Sequence, residues 1–400
     1  MPQASLCAAT SSYGLPDGLT GSQAVFPAAE FEQRIAMIQR ALSLTGAEAL
    51  MLTGPENIFW ATGRQTAGYF AFQTLLVPLS GEPVLLVRQL EMTGARASTW
   101  LTDIRAWQDG EDPAQALGAL IAELGYRHLA VERNSWFVSQ ALSERIAAAL
   151  VPIRISDGSG LVEGLRAVKS PAELDAIRCA AAYAQDGMVA AIEACHDGAN
   201  ENGVTAAMMA AAISSGSEAM AMEPLVSSGP RSGIPHATWR RRRMNAGDGV
   251  FLELAASHDR YHAALMRSVW IGPPPAEVQT MMDTALRALD AALTAMRPGE
   301  PCAAAHNAAQ RVIDAAGYTA AFRKRIGYSM GAAFAPDWGE GAILSLFSDV
   351  SRPLEPGMVF HLPATLRSYG AYTVGASETV IVTETGVEPL SDLPRTMTIR

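Results

Sequence analysis

The feature that most constrains the fold is a pair of long apolar segments, FLELAAS and YHAALMRSVW, separated only by HDR. Alternate residues of a β-strand share a face, so Tyr261 and His262 lie on opposite faces of the second segment, and Glu253 lies on one face of the first. The SHDR sequence predicts a hairpin turn, which would leave His258 and Asp259 exposed to solvent. The pattern therefore predicts an antiparallel hairpin in the second half of the chain.

This hairpin carries four side chains of the types that bind divalent metals, namely Glu253, His258, Asp259 and His262. If the turn exposes the middle two, only Glu253 and either Tyr261 or His262 remain as inward-facing polar residues. A dinuclear metal site needs more carboxylates than that. The hairpin therefore resembles a metal site without supplying a full ligand set.

The first half of the chain alternates helical and strand patterns from residue 28 to about 160, which predicts an α/β N-terminal domain. Residues 1–27 are rich in Ser, Gly, Ala and Pro and predict a flexible arm.

A second domain, residues 161–400, is marked near its start by KSPAEL. Ser170 can cap a helix there, Pro171 fits its first turn, and Glu173 completes a capping box. That helix, another at about 202–215, the hairpin, two helices between Ala276 and Ala316, and later strands predict an α+β domain. We expect a curved, largely antiparallel sheet backed by helices.

The net charge of −10 and the pI near 5.3 argue against nucleic acid or an anionic membrane as a partner. The exception is the run Arg240–Arg243, which is typical of a solvated turn or interface, or alternatively of an anion-binding site. The four cysteines lack C-x-x-C spacing, so we expect neither disulfides nor a zinc knuckle. No long uncharged apolar run or secretion signal is evident, which predicts a cytoplasmic protein.

Several motifs together resemble the pita-bread family of aminopeptidase P, prolidase and creatinase. They are LTGPENIFWATG, LRAVKSPAEL, PHATW, GYSMGAAFAPDWGEG, LEPGMVFHLP and ASETVIVTETGVEPLSDLPR, and the likeness spans residues 28–400. The resemblance implies a creatinase-type α/β N-terminal domain followed by an α+β pita-bread catalytic domain.

Metal-dependent members of this family carry five ligand positions. Here they fall on Glu253, Ala264, Tyr328, around Leu362, and Ser377, so that at most one ligand, a Glu in place of an Asp, is retained. The Glu-for-Asp and Tyr-for-His replacements, together with PDWGE, resemble ectoine hydrolases, which are metal-independent relatives of creatinase. The resemblance therefore implies a site without metal or other cofactor.

An amidinium carbon is already electron-poor, so carboxylates and a general base can hydrolyse it without a metal. The resemblance to creatinase implies that His236 in PHATW is the general base and acid. We therefore predict hydrolysis of a non-peptide C–N bond in a small amidine or amide derivative of an amino acid. Creatine is not expected, because creatinase's two guanidinium-binding Glu positions fall on Met266 and near Leu362.

Two other functions are compatible with these motifs. The same scaffold could catalyse a non-hydrolytic step such as cyclisation, dehydration or elimination, or it could be a catalytically silent binding module. The family likeness also implies a homodimer in which each N-terminal domain covers the partner's site.

The predicted site residues form two groups. The catalytic candidates are His236, Glu253, Tyr328, Asp337 and Glu340. The candidates for binding a small-molecule substrate are Tyr261, His262, Arg267, Trp338, His361 and Glu378, with Arg64, Tyr69 and Phe70 from the N-terminal segment GRQTAGYFAF. Structural roles are the alternative for several of them: His262 and His361 as core histidines, Trp338 as a packing residue, Glu378 as the partner of a buried Arg, and Asp337 and Glu340 in a surface turn.

Overall fold

The computed structural model describes residues 20–400, so most of the predicted arm, residues 1–19, lies outside the described residues. The chain divides into two compact units between Arg166 and Ala167. Within residues 20–400, no helix is both long and apolar enough to cross a membrane.

The N-terminal unit is built on a six-stranded mixed sheet with the order β4-β3-β2-β1-β5-β6. Its strands are β1 (Ala49–Leu52), β2 (Thr74–Pro78), β3 (Val84–Arg88), β4 (Ile104–Trp107), β5 (His128–Val131) and β6 (Arg154–Asp157). Its helices are α1 (Ala28–Ser43), α2 (Pro55–Thr62), α3 (Met92–Ser98), α4 (Pro113–Leu124), α5 (Gln140–Ala149) and α6 (Leu161–Arg166). The α1 residues Ile35, Ile38 and Leu42 recur at helical spacing and are buried in one apolar cluster with strand residues. The predicted α/β class is confirmed.

The C-terminal unit has four α-helices and two sheets among the described residues. The helices are α7 (Pro171–Ala194), α8 (Glu201–Ser215), α9 (Ala276–Ala295) and α10 (Cys302–Ala315). The strands are β7 (Leu225–Ser228), β8 (Gly249–His258), β9 (Tyr261–Trp270), β10 (Gly327–Ser329), β11 (Ser345–Leu346), β12 (Val359–Ser368), β13 (Tyr372–Val382), β14 (Val387–Pro389) and β15 (Thr398–Ile399). The sheets have the orders β15-β9-β8-β7 and β11-β10-β12-β13-β14, and every pairing except β15–β9 is antiparallel. Helix α7 packs on β8 and β9, and α9 packs on β12 and β13.

The predicted hairpin is present as β8 and β9, which pair along their full length with Glu253 opposite Met266. Its turn consists of Asp259 and Arg260, whose φ angles of 48° and 67° suit a tight two-residue hairpin. The expected exposure of His258 and Asp259 is wrong, because both are half-buried. The hydroxyl of Tyr183 on α7 lies 3.1 Å from Nδ1 of His258, so the helix partly covers the turn.

The C-terminal unit has two largely antiparallel sheets, where one continuous sheet was expected. Strands β13 and β9 are joined by hydrogen bonds from side chains to the backbone and do not pair through their backbones. Thr379 Oγ1 accepts a hydrogen bond from the Ala264 backbone N–H at 3.0 Å and donates to its carbonyl oxygen at 2.9 Å. Ser377 Oγ accepts from the Met266 N–H at 2.7 Å. These contacts satisfy backbone groups that a neighbouring strand would otherwise pair.

The predicted capping box at the start of α7 is confirmed. Ser170 Oγ accepts from the Glu173 N–H at 3.4 Å, and the Glu173 carboxylate accepts from the Ser170 N–H at 2.9 Å. The second carboxylate oxygen of Glu173 accepts from the Tyr261 hydroxyl at 2.9 Å, which ties the first turn of α7 to β9.

Ser170→Ala should lower the free energy of unfolding by about 1 kcal/mol, because it removes the acceptor for an otherwise unpaired N–H of the first turn. Chemical denaturation of the full chain would measure the change. The matched control is Ser214→Ala, at an exposed position in α8. An equal loss in both variants would contradict a specific capping contribution.

Candidate functional site

A cavity of about 210 Å³ lies within the C-terminal unit. It is smaller than the ~300–1,000 Å³ of typical ligand pockets, which indicates a small molecule. Residues two apart on one strand share a face, and three strands supply the cavity in this way. The lining residues are Leu225 and Ser227 of β7, Phe251 and Glu253 of β8, Pro363, Thr365 and Arg367 of β12, Met266, Tyr328, Lys324, Arg325, and the loop 234–237 that contains His236.

Glu253 supplies the one acidic side chain of this lining. The residue is only 7% exposed, and its carboxylate has no hydrogen-bond donor or salt-bridge partner among residues 20–400. Burial raises the pKa of Glu253 to about 7, while the positive charges of Lys324 and Arg367 act in the opposite direction. The carboxyl group can therefore gain or lose a proton near neutral pH.

Lys324 and Arg367 add positive charge to the same cavity. Lys324 Nζ donates to Thr365 Oγ1 at 2.7 Å, and Arg367 Nε donates to Thr373 Oγ1 at 2.8 Å. Burial lowers the pKa of Lys324 to about 7, and Arg367 lowers it further while Glu253 raises it. Neither cation forms a salt bridge in the part of the chain that the structure describes.

Tyr328 is at the end of a hydrogen-bond chain that leads away from the cavity. Its hydroxyl oxygen accepts from Trp338 Nε1 at 3.1 Å and lies 2.9 Å from His361 Nδ1. His361 Nε2 is 2.7 Å from Ser377 Oγ. Burial lowers the pKa of His361 to about 3 and raises that of Tyr328, so both rings are neutral at pH 7. Trp338 and His361 thus contact Tyr328 rather than the cavity itself.

His236 lies in the loop between β7 and β8, is exposed, and lines the cavity. Its φ of 54° is left-handed, which is uncommon for a residue other than Gly. The buried carboxylate of Glu201 holds the chain on both sides of it. Glu201 accepts from the Ser228 N–H at 2.9 Å and hydroxyl at 2.8 Å, from the Arg240 N–H at 2.7 Å, and from the Arg231 guanidinium.

The basic run Arg240–Arg243 continues from this loop. Arg242 forms a bidentate pair with Asp248, at 2.6 and 3.0 Å, and the side chains of Arg240, Arg241 and Arg243 are exposed. Part of the run therefore has a structural role in the loop.

Like Trp338 and His361, four further predicted substrate-binding residues do not line the cavity. Arg267 pairs with Glu378 at 2.9 Å, and both side chains are at most 1% exposed. Tyr261 bonds to Glu173, as described above. His262 accepts from the Ala221 N–H at 3.1 Å and lies 2.7 Å from the Arg260 carbonyl oxygen, and burial lowers its pKa to about 4. All four side chains therefore have structural contacts in the core and do not reach the cavity.

The two acidic residues of the PDWGE segment differ in burial and in partners. Asp337 is exposed and accepts from the Gly339 N–H at 3.0 Å, although its charge still raises the pKa of Glu253. Glu340 is buried and pairs with Lys169 Nζ at 2.7 Å, so its charge is compensated within the core. Neither residue is among those that line the cavity.

The three N-terminal candidates belong to the other unit. Arg64 is buried and pairs with Glu91 at 2.7 Å, and Tyr69 packs edge-to-face on Phe137 with ring centroids 5.2 Å apart. Phe70 is 73% exposed. Their role in binding a substrate stays a prediction.

The residues at the expected metal-ligand positions do not fit a metal. Glu253 and Tyr328 line the cavity, but Ala264 has no donor atom in its side chain, and Ser377 bonds to His361 and to β9. Near Leu362, the residue that reaches the cavity is Pro363. Across residues 20–400, no group of three or more His, Cys, Asp or Glu side chains could hold a metal ion.

Sequence comparison assigns the two units to known families. Residues 175–384 match Metallopeptidase family M24, and residues 34–168 match the Creatinase/Prolidase N-terminal domain. The chain belongs to metallopeptidase family M24. This confirms the predicted family and the predicted pita-bread fold with a creatinase-type N-terminal domain.

Individual relatives cover almost the whole chain. An ectoine hydrolase from Halomonas elongata is 26% identical over 397 residues, which is 94% of this chain and 98% of the relative. Among solved structures, a dipeptidase from Mycobacterium ulcerans superposes with a TM-score of 0.80 at 25% identity, over 94% of this chain and 99% of the other. A prolidase from Thermococcus sibiricus has a TM-score of 0.84 at 20% identity, over 92% and 99%, which supports the fold alone. These relatives support assignment to a hydrolase family.

Sequence reasoning missed Lys324, Thr365 and Arg367 as members of the site. The signal was present in PATLRS, where positions 363, 365 and 367 alternate as on one face of a strand. Lys324 lies four residues before Tyr328 but outside the strand that contains it. Its position in the cavity depends on the path of the segment between α10 and β10, which the sequence pattern does not specify.

Glu253→Gln should become progressively more stable than the wild type as the pH rises from about 4.5 to about 7. A carboxyl whose pKa is higher in the folded than in the unfolded state binds its proton more tightly when folded, so its stabilising contribution is lost over that interval. Denaturant unfolding at several pH values would measure the difference. The control is Glu384→Gln at an exposed carboxyl, and a pH-independent difference for Glu253→Gln would contradict the raised pKa.

Proposed function

We propose that this protein is a metal-independent hydrolase of a non-peptide C–N bond in a small amidine or amide derivative of an amino acid. The observation that carries the proposal is the Glu253 carboxylate, which lines the cavity without a hydrogen-bond donor from the described chain. A carboxylate left in this state is suited to bind a cationic N–H group such as an amidinium. The relationship to an ectoine hydrolase supports this substrate class, because ectoine is a cyclic amidine.

In the proposed reaction, His236 accepts a proton from a water molecule while the water oxygen bonds to the amidinium carbon. The electron pair of the C–N bond then moves to nitrogen, which receives that proton from His236 as the bond breaks. The hydroxyl proton of the intermediate passes to the released amine, so that a cyclic amidinium and one water give an amide and an ammonium group. Glu253 holds the N–H side of the cation during both steps.

Tyr328 is proposed to donate its hydroxyl hydrogen to a substrate nitrogen whose lone pair forms during water addition. If Ser377 donates to Nε2 of His361, the Nδ1–H of His361 donates to the Tyr328 oxygen, which also accepts from Trp338. The phenolic proton of Tyr328 is then available to the cavity. In this arrangement His361 and Trp338 position Tyr328 and do not contact the substrate.

His236→Ala should reduce kcat/KM by about 100-fold or more, the usual effect of losing a general acid–base. Release of the amine product from ectoine, followed by NMR, would measure the change. The matched control is His196→Ala, which removes an exposed histidine that is absent from the cavity lining. Undiminished turnover in His236→Ala would overturn the proposed mechanism.

Turnover should persist after the protein is treated with a strong chelator and dialysed, and added Zn²⁺ or Mn²⁺ should not increase it. The reason is the ligand set, in which Ala264 and Ser377 replace carboxylates. Turnover that is lost with the chelator and restored by one of these ions would refute metal independence.

Product mass separates the proposed reaction from the non-hydrolytic alternative on the same scaffold. Hydrolysis adds the mass of one water, whereas cyclisation, dehydration and elimination do not. A protein that binds amidines but converts none of them would be a binding module. The homodimer and the cytoplasmic location stay predictions.

A further inference from the structure

The cavity has an excess of positive charge that the proposed hydrolysis does not use. Its lining contains Lys324, Arg325 and Arg367 but one carboxylate, Glu253, although the chain as a whole carries a net charge of −10. Such an imbalance in a partly dehydrated cavity is unfavourable unless a ligand compensates it.

The three cations differ in how far the protein satisfies them. Arg325 lies over the Tyr328 ring at 4.8 Å and donates to the Gly341 carbonyl oxygen and Ser345 Oγ, so it is held in place. Lys324 and Arg367 bond to the hydroxyls of Thr365 and Thr373, which are neutral acceptors. Each is thereby oriented without being neutralised.

We propose that Lys324 and Arg367 form a subsite for a carboxylate of the substrate, with Thr365 orienting Lys324. As an ammonium, which a bound carboxylate would favour, Lys324 retains two N–H donors after its bond to Thr365. Arg367 is bound through Nε to Thr373 and lies over the Tyr369 ring at 5.9 Å, and it retains donors on its terminal nitrogens. Resting on the proposed function, the subsite defines the substrate as a zwitterion, with its amidinium at Glu253 and its carboxylate at Lys324 and Arg367. Neutral lactams and simple amidines are then poor ligands.

The specificity can be tested with ectoine and its decarboxy analogue, the same cyclic amidine with hydrogen in place of the carboxylate. The dissociation constant of each ligand would be measured by calorimetry in the His236→Ala variant, so that turnover does not interfere. Ectoine should bind about 10- to 100-fold more tightly, the usual effect of a charge-assisted hydrogen bond. Arg367→Gln and Lys324→Gln should each reduce that ratio by about 10-fold or more.

Two further variants control for charge and folding. Arg323→Gln removes the same charge from an exposed neighbour that stacks on Tyr369 and does not line the cavity, and it should keep the ratio. Arg367→Lys keeps the positive charge and should keep part of the preference. If Arg367→Gln fails to fold, Arg367→Lys and Lys324→Gln still test the subsite.

Equal binding of the two ligands, failure of both to bind, or an unchanged ratio in both Arg367→Gln and Lys324→Gln would overturn the subsite. Carboxylate-dependent binding without any hydrolysis by the wild type would support the subsite while refuting the proposed reaction. Hydrolysis of neutral amidines as fast as of zwitterionic ones would support the reaction while refuting the subsite.

Discussion

The cavity is organised around a buried carboxylate that receives no hydrogen bond from residues 20–400. Burying an ionised group in this way costs several kcal/mol unless opposite charges lie nearby. For Glu253 those charges are Lys324 and Arg367, which influence its pKa without forming a salt bridge to it. A closer ion pair would be more stable but would leave no charge for a ligand. The arrangement keeps both signs of charge available within one small cavity.

Two of the positions that the family likeness assigns to metal ligands have structural roles in this chain. Ser377 accepts from the backbone of β9 and contacts His361, so it links the two sheets to the chain of hydrogen bonds behind Tyr328. At Ala264 the backbone, and not the side chain, is held by Thr379. A carboxylate in place of Ser377 would lose the contacts that its hydroxyl makes. Ser377 and the backbone of Ala264 thus contribute to the packing between the sheets.

Features formed by residues close together in the chain were predictable from the sequence. Features formed where distant segments meet were not. The capping box at Ser170 and the β8–β9 hairpin depend on residues close in the chain, and both are present. Arg267 could have served Glu253 or a substrate, but Glu378 on β13 is its partner, a pairing set by how two sheets meet. Lys324 and Arg367 meet at the cavity for the same reason. The sequence allowed a buried Arg as the partner of Glu378, but only the sheet arrangement identifies it as Arg267 and brings Lys324 and Arg367 to one cavity.

The backbone conformation of His236 depends on contacts with the N-terminus of α8. A left-handed φ at a residue other than Gly costs on the order of 1 kcal/mol or more, so surrounding contacts must hold it. Glu201, the first residue of α8, provides them by accepting hydrogen bonds from Ser228, Arg231 and Arg240. Because its contacts lie on both sides of His236, the helix end and the loop form one unit that presents the imidazole to the cavity.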